Sequence, residues 1–426
     1  MFKAETDVIH WIYSFTTHQK YRTLDHLHGF LQTIDNPHLK LKTVHVAGTN
    51  GKGSTVSYMR QAFMEAGYKV ATFTSPYIIC FGERMSINNQ AMSSEMLVHY
   101  GNQLKTLLPK NQEAFTSFDI ITFLSYLYFS DEAVDIAIYE TGIGGRLDAT
   151  NVIMPLATAI TNVGHDHADV LGETQLARAK EKLGIVKHSV PLFTTETDAT
   201  LLQAFKKVTQ QNDAEIFDSL ADASLLHVNE TGVCFKWGEY DEIKITMHGV
   251  HQFKNASLAV SILHHLKKNN GYKNLDATAI SNTKWQGRFE AFETKNGVIV
   301  LDGAHNKEGI LALIDTVKCT YPTKKPLYLF SAIATKDAKE MIHLLEASGG
   351  EVVVTTGSHL ASINPQLLKT YIHHHPQLAY DDFKDAIHIL LSEKVTECDI
   401  MVVCGSLYFI SEVREHLLKT GGHQRD

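Results

Sequence analysis

Covalent cross-links and membrane anchors are the first things this 426-residue chain lacks. Its five cysteines (Cys80, Cys234, Cys319, Cys398, Cys404) are odd in number, scattered, and form no C-x-x-C pair. That argues against a disulfide framework and a zinc site, and for reduced thiols. No apolar run approaches the length of a membrane span. The opening Met1-Phe2-Lys3-Ala4-Glu5-Thr6-Asp7 carries acids and leads into no signal-type apolar stretch. No Lys/Arg block stands out, and acids outnumber bases 47 to 39 for a formal charge of −8. Nucleic acid therefore has little electrostatic footing as a partner. Internal repeats and low-complexity segments are also missing. The expectation is a cytoplasmic, monomeric protein acting on small molecules, without nucleic-acid or membrane partners.

The length exceeds one ordinary core, so two domains are expected. Short β-branched runs alternate with helical patterns. Thr43–Ala47 reads as a strand, Ser54–Ala66 as a helix through Val56, Met59 and Phe63, and Lys69–Thr74 as a strand again. Val134–Tyr139, Leu156–Thr161 and Val190–Thr194 are further strands, so the class is α/β with a largely parallel sheet. Between about Ala214 and Thr246 the strands become short and polar-interrupted, as in an antiparallel insertion. Gln252–Lys268 reads as a helix stopped by Asn269-Asn270-Gly271. A second series follows, with strands at Val298–Asp302, Leu327–Ala332, Val352–Thr355 and Ile400–Cys404 and a helix at Asp382–Glu393. The expected division is 1–286, a mostly parallel P-loop-type domain, and 287–426, a smaller Rossmann-like α/β domain.

The strongest local signal is Gly48-Thr49-Asn50-Gly51-Lys52-Gly53-Ser54-Thr55, between a strand and a helix. Glycines let backbone N–H groups turn toward a phosphate, and the helix N-terminus favours negative charge. Lys52 adds a cation, and Ser54 or Thr55 offers a hydroxyl for magnesium. The strict pattern G-x-x-x-x-G-K-[ST] fails, with Val46 where its first glycine belongs and Gly53 after the lysine.

This variant loop resembles that of the folylpolyglutamate synthase/dihydrofolate synthase family, within the Mur ligase superfamily. Further blocks agree in order: Thr74-Ser75-Pro76-Tyr77-Ile78 running to Phe81-Gly82-Glu83-Arg84-Met85, then Glu140-Thr141-Gly142-Ile143-Gly144-Gly145-Arg146-Leu147-Asp148-Ala149-Thr150-Asn151. Thr161-Asn162-Val163-Gly164-His165-Asp166-His167 and Glu181-Lys182-Leu183-Gly184-Ile185 follow. In the second series, His251, Asn255, Trp285-Gln286-Gly287-Arg288, Asp302-Gly303-Ala304-His305-Asn306 and Gly405-Ser406-Leu407-Tyr408 have counterparts. The resemblance spans nearly the whole chain.

It implies Ser75, Glu140 and His167 as magnesium ligands, each at or after a strand end where open α/β sheets bind ligands. His165 could compete for the metal, but Asp166-His167 is the conforming pair. Lys182, beside Glu181, reads alone as half of a solvated surface pair; the resemblance implies a carbamylated lysine serving a second magnesium. Asn255, Arg288, Asp302 and His305 match residues that hold ATP: Asn255 at the adenine, Arg288 at the γ-phosphate, Asp302 and His305 near ribose and phosphate. ATP would then lie between the two domains. His373-His374-His375 reads as an exposed helix end before Pro376.

The implied reaction is ATP-dependent addition of L-glutamate to a folate through an acyl phosphate, with Lys52, Lys182 and Arg288 as the catalytic set. Tyr77, Asp119 and Asp148 would border the folate. Tyr77 stands where the family often has histidine, and Asp119 where glutamate is usual. Polyglutamylation alone and a bifunctional enzyme that also uses dihydropteroate both fit. A cell-wall Mur-type ligase would want a further UDP-binding domain, for which the short stretch before Thr43 leaves no room. A non-catalytic nucleotide-binding regulator would want the loop without Ser75, Glu140 and His167.

Overall fold

The computed structural model describes residues 1–16, 23–109, 115–294, 297–374, 377–394 and 399–424. Cys398, His375 and Pro376 lie outside them. The chain divides into two compact units. The first comprises Met1–Ser224, Lys236–Ile243 and Lys254–Asn282; the second comprises Leu225–Phe235, Lys244–Phe253 and Thr283–Asp426.

The first unit is built on an eight-stranded sheet: β1 (Thr43–Ala47), β2 (Val70–Phe73), β3 (Met85–Ile87), β4 (Gln90–Ala91), β5 (Ile136–Glu140), β6 (Ala157–Ile160), β7 (Leu192–Thr194) and β8 (Ile216–Asp218). The order is β4-β3-β2-β5-β1-β6-β7-β8. β2 through β8 pair in parallel, and the β3–β4 hairpin adds antiparallel at the β2 edge. β1 is buried along its whole length between β5 and β6, which explains its unbroken Val44, Val46, Ala47 character. The chain leaves β1 toward β2 and later returns across it from β5 to β6. Such a reversal opens a crevice at the carboxyl ends of the strands. One face is covered by the helix Ser117–Asp131, whose Phe123, Tyr126 and Phe129 pack in one core with Phe30, Phe73 and Tyr139.

A small sheet of β9 (Ala223–Asn229), β10 (Gly232–Trp237) and β11 (Tyr240–Ile245) follows, in the order β11-β10-β9. The second unit holds β12 (Glu290–Thr294), β13 (Gly297–Leu301), β14 (Lys325–Phe330), β15 (Glu351–Val354), β16 (Leu378–Ala379), β17 (Asp399–Cys404) and β18 (His423–Gln424), ordered β16-β15-β14-β17-β13-β12-β18. Its central pairs are parallel, while β12 runs antiparallel to both neighbours. Its core gathers Val300, Tyr328, Phe330, Val352 and Val402. Both units are thus α/β with parallel-rich sheets.

Strands lie within two residues of their sequence-expected limits. The helix after β1 starts earlier than expected, at Lys52, because Gly51 takes φ +86° and turns the chain directly into it. His373 and His374 are exposed but stand beyond a short helix, Pro365–Lys369, with their backbone N–H groups held by the Glu346 carboxylate. Among the described residues, Cys80, Cys234, Cys319 and Cys404 form no disulfide. Among the described residues no helix is long and apolar enough to cross a membrane.

Candidate active site

The loop after β1 turns on two glycines whose backbone and close contacts disfavour any side chain. A Cβ on Gly48 (φ +149°) would strike the Thr161 hydroxyl, and one on Gly51 would strike the Asn255 amide. The loop hangs on the end of β6. Thr49 N–H donates to Asn162 O at 3.1 Å, Asn50 N–H to Asn162 Oδ1 at 3.1 Å, and Thr161 Oγ1 to Asn50 O at 2.7 Å. Thr161 and Asn162 went without a role in the sequence reading, although their T-N-x-G block was visible. Lys52 curls back, its Nζ donating to Gly48 O at 3.1 Å and Thr49 O at 3.2 Å. Thr55 Oγ1 donates to Gly51 O at 3.0 Å within its own helix. Gly53 and buried Ser54 complete the first helical turn.

Glu140, 4% exposed at the end of β5, faces this lysine: Oε1 lies 3.8 Å from Lys52 Nζ. Its Oε2 accepts the Ser75 N–H at 3.3 Å. The ends of β1, β2 and β5 therefore converge on one carboxylate. Magnesium asks for such a donor set, since it uses one or two carboxylates and fills its remaining positions with hydroxyl, phosphate and water. A buried carboxylate already facing a cation suits that ion; no group of three His, Cys, Asp or Glu side chains gathers around a metal position among the described residues. His167 is half-buried with φ +52°, whereas His165 is exposed. His167 Nε2 lies 3.8 Å from Asp166 Oδ1.

Lys182 is not a surface residue. It is 2% exposed, and burial, then the neighbouring Lys52 ammonium, bring its pKa down to about 7 against the opposing pull of Asp166. Glu181 instead binds Arg146, whose Nε and Nη2 reach its oxygens at 2.9–3.2 Å.

Of the folate-side residues, Tyr77 lies under the Arg84 guanidinium, 5.2 Å from ring centroid to Cζ, with Phe81 beside it. Asp119 is fully buried at the third position of its helix. Its Oδ2 accepts the Thr116 N–H at 2.8 Å while its own N–H reaches Thr116 Oγ1, a capping box, and His26 Nε2 lies 3.9 Å away. Asp148 accepts four hydrogen bonds, from Gly142 N–H, Ile143 N–H, Thr150 N–H and Thr150 Oγ1. The Thr150 hydroxyl in turn meets His45 Nε2 at 2.8 Å.

In the second unit a separate group forms where β13 ends. Asp302 accepts Phe289 N–H at 2.9 Å and Ala304 N–H at 2.8 Å. Burial raises its pKa and the Arg288 charge opposes that. A Cβ on Gly303 would strike the Arg288 guanidinium. His305 Nδ1 lies 2.7 Å from Gly303 O, and a protonated Nδ1 donates there. Desolvation, then the neighbouring Arg288 charge, bring the pKa of half-buried His251 down to about 4.

Residues 46–263 match the Mur ligase middle domain, and residues 287–407 match the Mur ligase glutamate ligase domain. A dihydrofolate synthase/folylpolyglutamate synthase of Bacillus subtilis is 35% identical over 98% of this chain and all of its own length. The crystal structure of a folylpolyglutamate synthase from Thermotoga maritima superposes with TM-score 0.83 at 28% identity, covering 98% of this chain and 97% of that one. A folylpolyglutamate synthase structure in complex with AMPPCP and folate superposes with TM-score 0.81 at 26% identity, covering 98% of this chain and all of that one. With its P-loop variant, its two α/β units and this full-length likeness, the chain belongs to the folylpolyglutamate synthase/dihydrofolate synthase family of Mur ligases.

Proposed function

We propose that this chain is an ATP-dependent ligase joining L-glutamate to the carboxylate of a folate, releasing ADP and phosphate. The observation that carries the reading is the meeting of Lys52, Ser75 and Glu140 at the carboxyl edge of the sheet, in a member of this family. The γ-phosphoryl group of ATP passes to the folate carboxylate, giving an acyl phosphate. The glutamate amine attacks the acyl carbon, phosphate leaves, and an amide forms.

Lys52, steadied by two loop carbonyls, meets the transferring phosphoryl charge, and the N–H groups of Gly51, Gly53 and Ser54 cradle the phosphates, while Thr49, Asn50 and Thr55, whose N–H groups are bonded within the protein, shape that cradle. Arg288 supplies a planar fork to the γ-phosphate. Asn255, lying against Gly51, serves the nucleotide from beside the phosphate loop, and Asp302 and His305, where β13 ends, are further nucleotide-binding residues. Ser75, Glu140 and His167 would hold magnesium, with Ser54 or Thr55 as the loop hydroxyl. Bound magnesium supplies charge neutralisation between phosphate oxygens. Lys182, largely neutral above about pH 7, is the form of lysine that takes up CO2, consistent with a carbamate there. Asp148, with four acceptor sites filled, acts on the folate through the loop it closes. Tyr77 presents its ring to the folate, and Asp119 acts through the start of its helix. Residues 1–286 form the P-loop domain and 287–426 the glutamate ligase domain of a monomeric, cytoplasmic enzyme without nucleic-acid or membrane partners.

ADP release with L-glutamate and, in turn, tetrahydrofolate, dihydropteroate and a UDP-muramyl peptide tests this. Turnover with tetrahydrofolate is expected; turnover with the muramyl peptide alone would overturn the reading. Tyr77→His and Asp119→Glu are expected to raise kcat/KM selectively for dihydropteroate. An equal response of both substrates would remove these two residues from specificity.

A further inference from the structure

The helix Gln175–Leu183 carries Lys182 in its last turn and Arg178 one turn earlier on the same face. Arg178 is 4% exposed. Its Nε donates to Gly164 O at 2.9 Å, and its Nη1 to Gly172 O at 3.0 Å and Glu173 O at 2.8 Å. These three carbonyls are the two ends of one excursion. The chain departs at Gly164, carries His165, Asp166 and His167, makes the turn Ala168–Leu171, and returns at Gly172. One guanidinium therefore closes the neck of the loop.

Three further contacts fit the same purpose. Gln175 Nε2, on the same helix, donates to Val163 O at 2.9 Å. Gly164 N–H donates to Thr49 Oγ1 at 2.9 Å, tying the neck to the phosphate loop. At the other end of the helix, Arg146 N–H donates to Glu181 O at 2.7 Å. Inside the loop, His167 keeps φ +52°, a conformation that a non-glycine residue holds only when its surroundings impose it. An apolar side chain would fill the same volume without the cost of burying a cation. A planar fork with several fixed donors suits carbonyls on both sides of a neck.

We infer that Arg178 is a positioning residue: it fixes the loop bearing Asp166 and His167 to the helix bearing Lys182, so that the metal-facing groups of both move as one body. The inference rests on the ligase reading above, and the test separates the two.

Mn2+ binding to the full-length protein with AMPPNP is followed by electron paramagnetic resonance, beside ADP release with tetrahydrofolate and L-glutamate, and urea unfolding. In Arg178→Gln and Arg178→Lys, Mn2+ affinity and kcat are each expected to fall about 10–100-fold, the range for residues that orient metal ligands. KM for ATP should stay within about threefold, because the phosphate-loop contacts remain. Gln175→Leu cuts the lesser staple without disturbing the buried charge, and its Mn2+ affinity should fall by a smaller factor. If Gln175→Leu and whichever Arg178 variants fold bind Mn2+ as the wild type does, Arg178 is merely structural and the inference is overturned. A wild type that binds no Mn2+ beside AMPPNP would remove the ligase reading first, and this inference with it.

Discussion

In the proposed ligase reaction a single ammonium carries much of the chemistry assigned to the first unit. Lys52 is held by the Gly48 and Thr49 carbonyls and opposes Glu140 at 3.8 Å. Because it stands at the first position of its helix and fills no core, Lys52→Ala is expected to lower kcat by roughly 10²–10³-fold while leaving the urea midpoint unchanged. Arg288→Lys keeps the charge but loses the fork; kcat should drop by about tenfold or more. Steady-state ADP release measures both, and near-normal turnover in Lys52→Ala would sink the phosphate-loop role. Lys182→Ala should be inactive, and acetate or another short carboxylate should recover part of the rate by standing where the carbamate would. Failure of every short acid to do so, in a folded variant, counts against the carbamate.

The β1 strand and the Asp148 loop form one element through the buried line His45–Thr150–Asp148. Burial, then the Lys187 charge, push the His45 imidazole down to about 3. The unfolded chain takes up that proton near 6.5 and the folded chain does not, so stability is complete above pH 6.5 and declines as pH falls toward 3. One such histidine accounts for about 2 kcal/mol between pH 6.5 and 5; His38 and His251, each lowered to about 4, act in the same direction. Urea midpoints at the two pH values should differ less in His45→Gln than in the wild type. Thr150→Val should cost about 1–3 kcal/mol by stranding both neighbours. At this scale much was legible beforehand, because β-branched runs and glycines act locally: β1, the phosphate loop and the strand-end positions of Ser75 and Glu140 could be read directly. The burial of Lys182 and the Arg178 neck could not, since each depends on which distant backbone a side chain meets, whereas the Thr116–Asp119 capping box is local and its T-x-x-D spacing is legible. A charged residue beside another reads as surface until a fold covers it.

Taken whole, the molecule is two cores whose chain segments interleave. The second unit draws on Leu225–Phe235 and Lys244–Phe253 as well as Thr283–Asp426, a grouping that a linear reading has no signal for. Within it His248 packs on Phe289 with ring centroids 5.2 Å apart, and Gly249 abuts the Thr316 hydroxyl. A fragment of residues 283–426 should therefore bind the dye ANS and melt with poor cooperativity, while one that also carries residues 225–253 should bind less. Equal dye binding by the two would mean that the added segments do not complete the core. In the first unit, β1 has parallel partners on both sides and no exposed residue. Amides so placed exchange with solvent only when the surrounding unit opens as a whole. Deuterium should accordingly enter Val44–Ala47 last, so the loop proposed to hold the triphosphate is rooted in the slowest-breathing stretch of the unit and could release its product without loosening its own foundation.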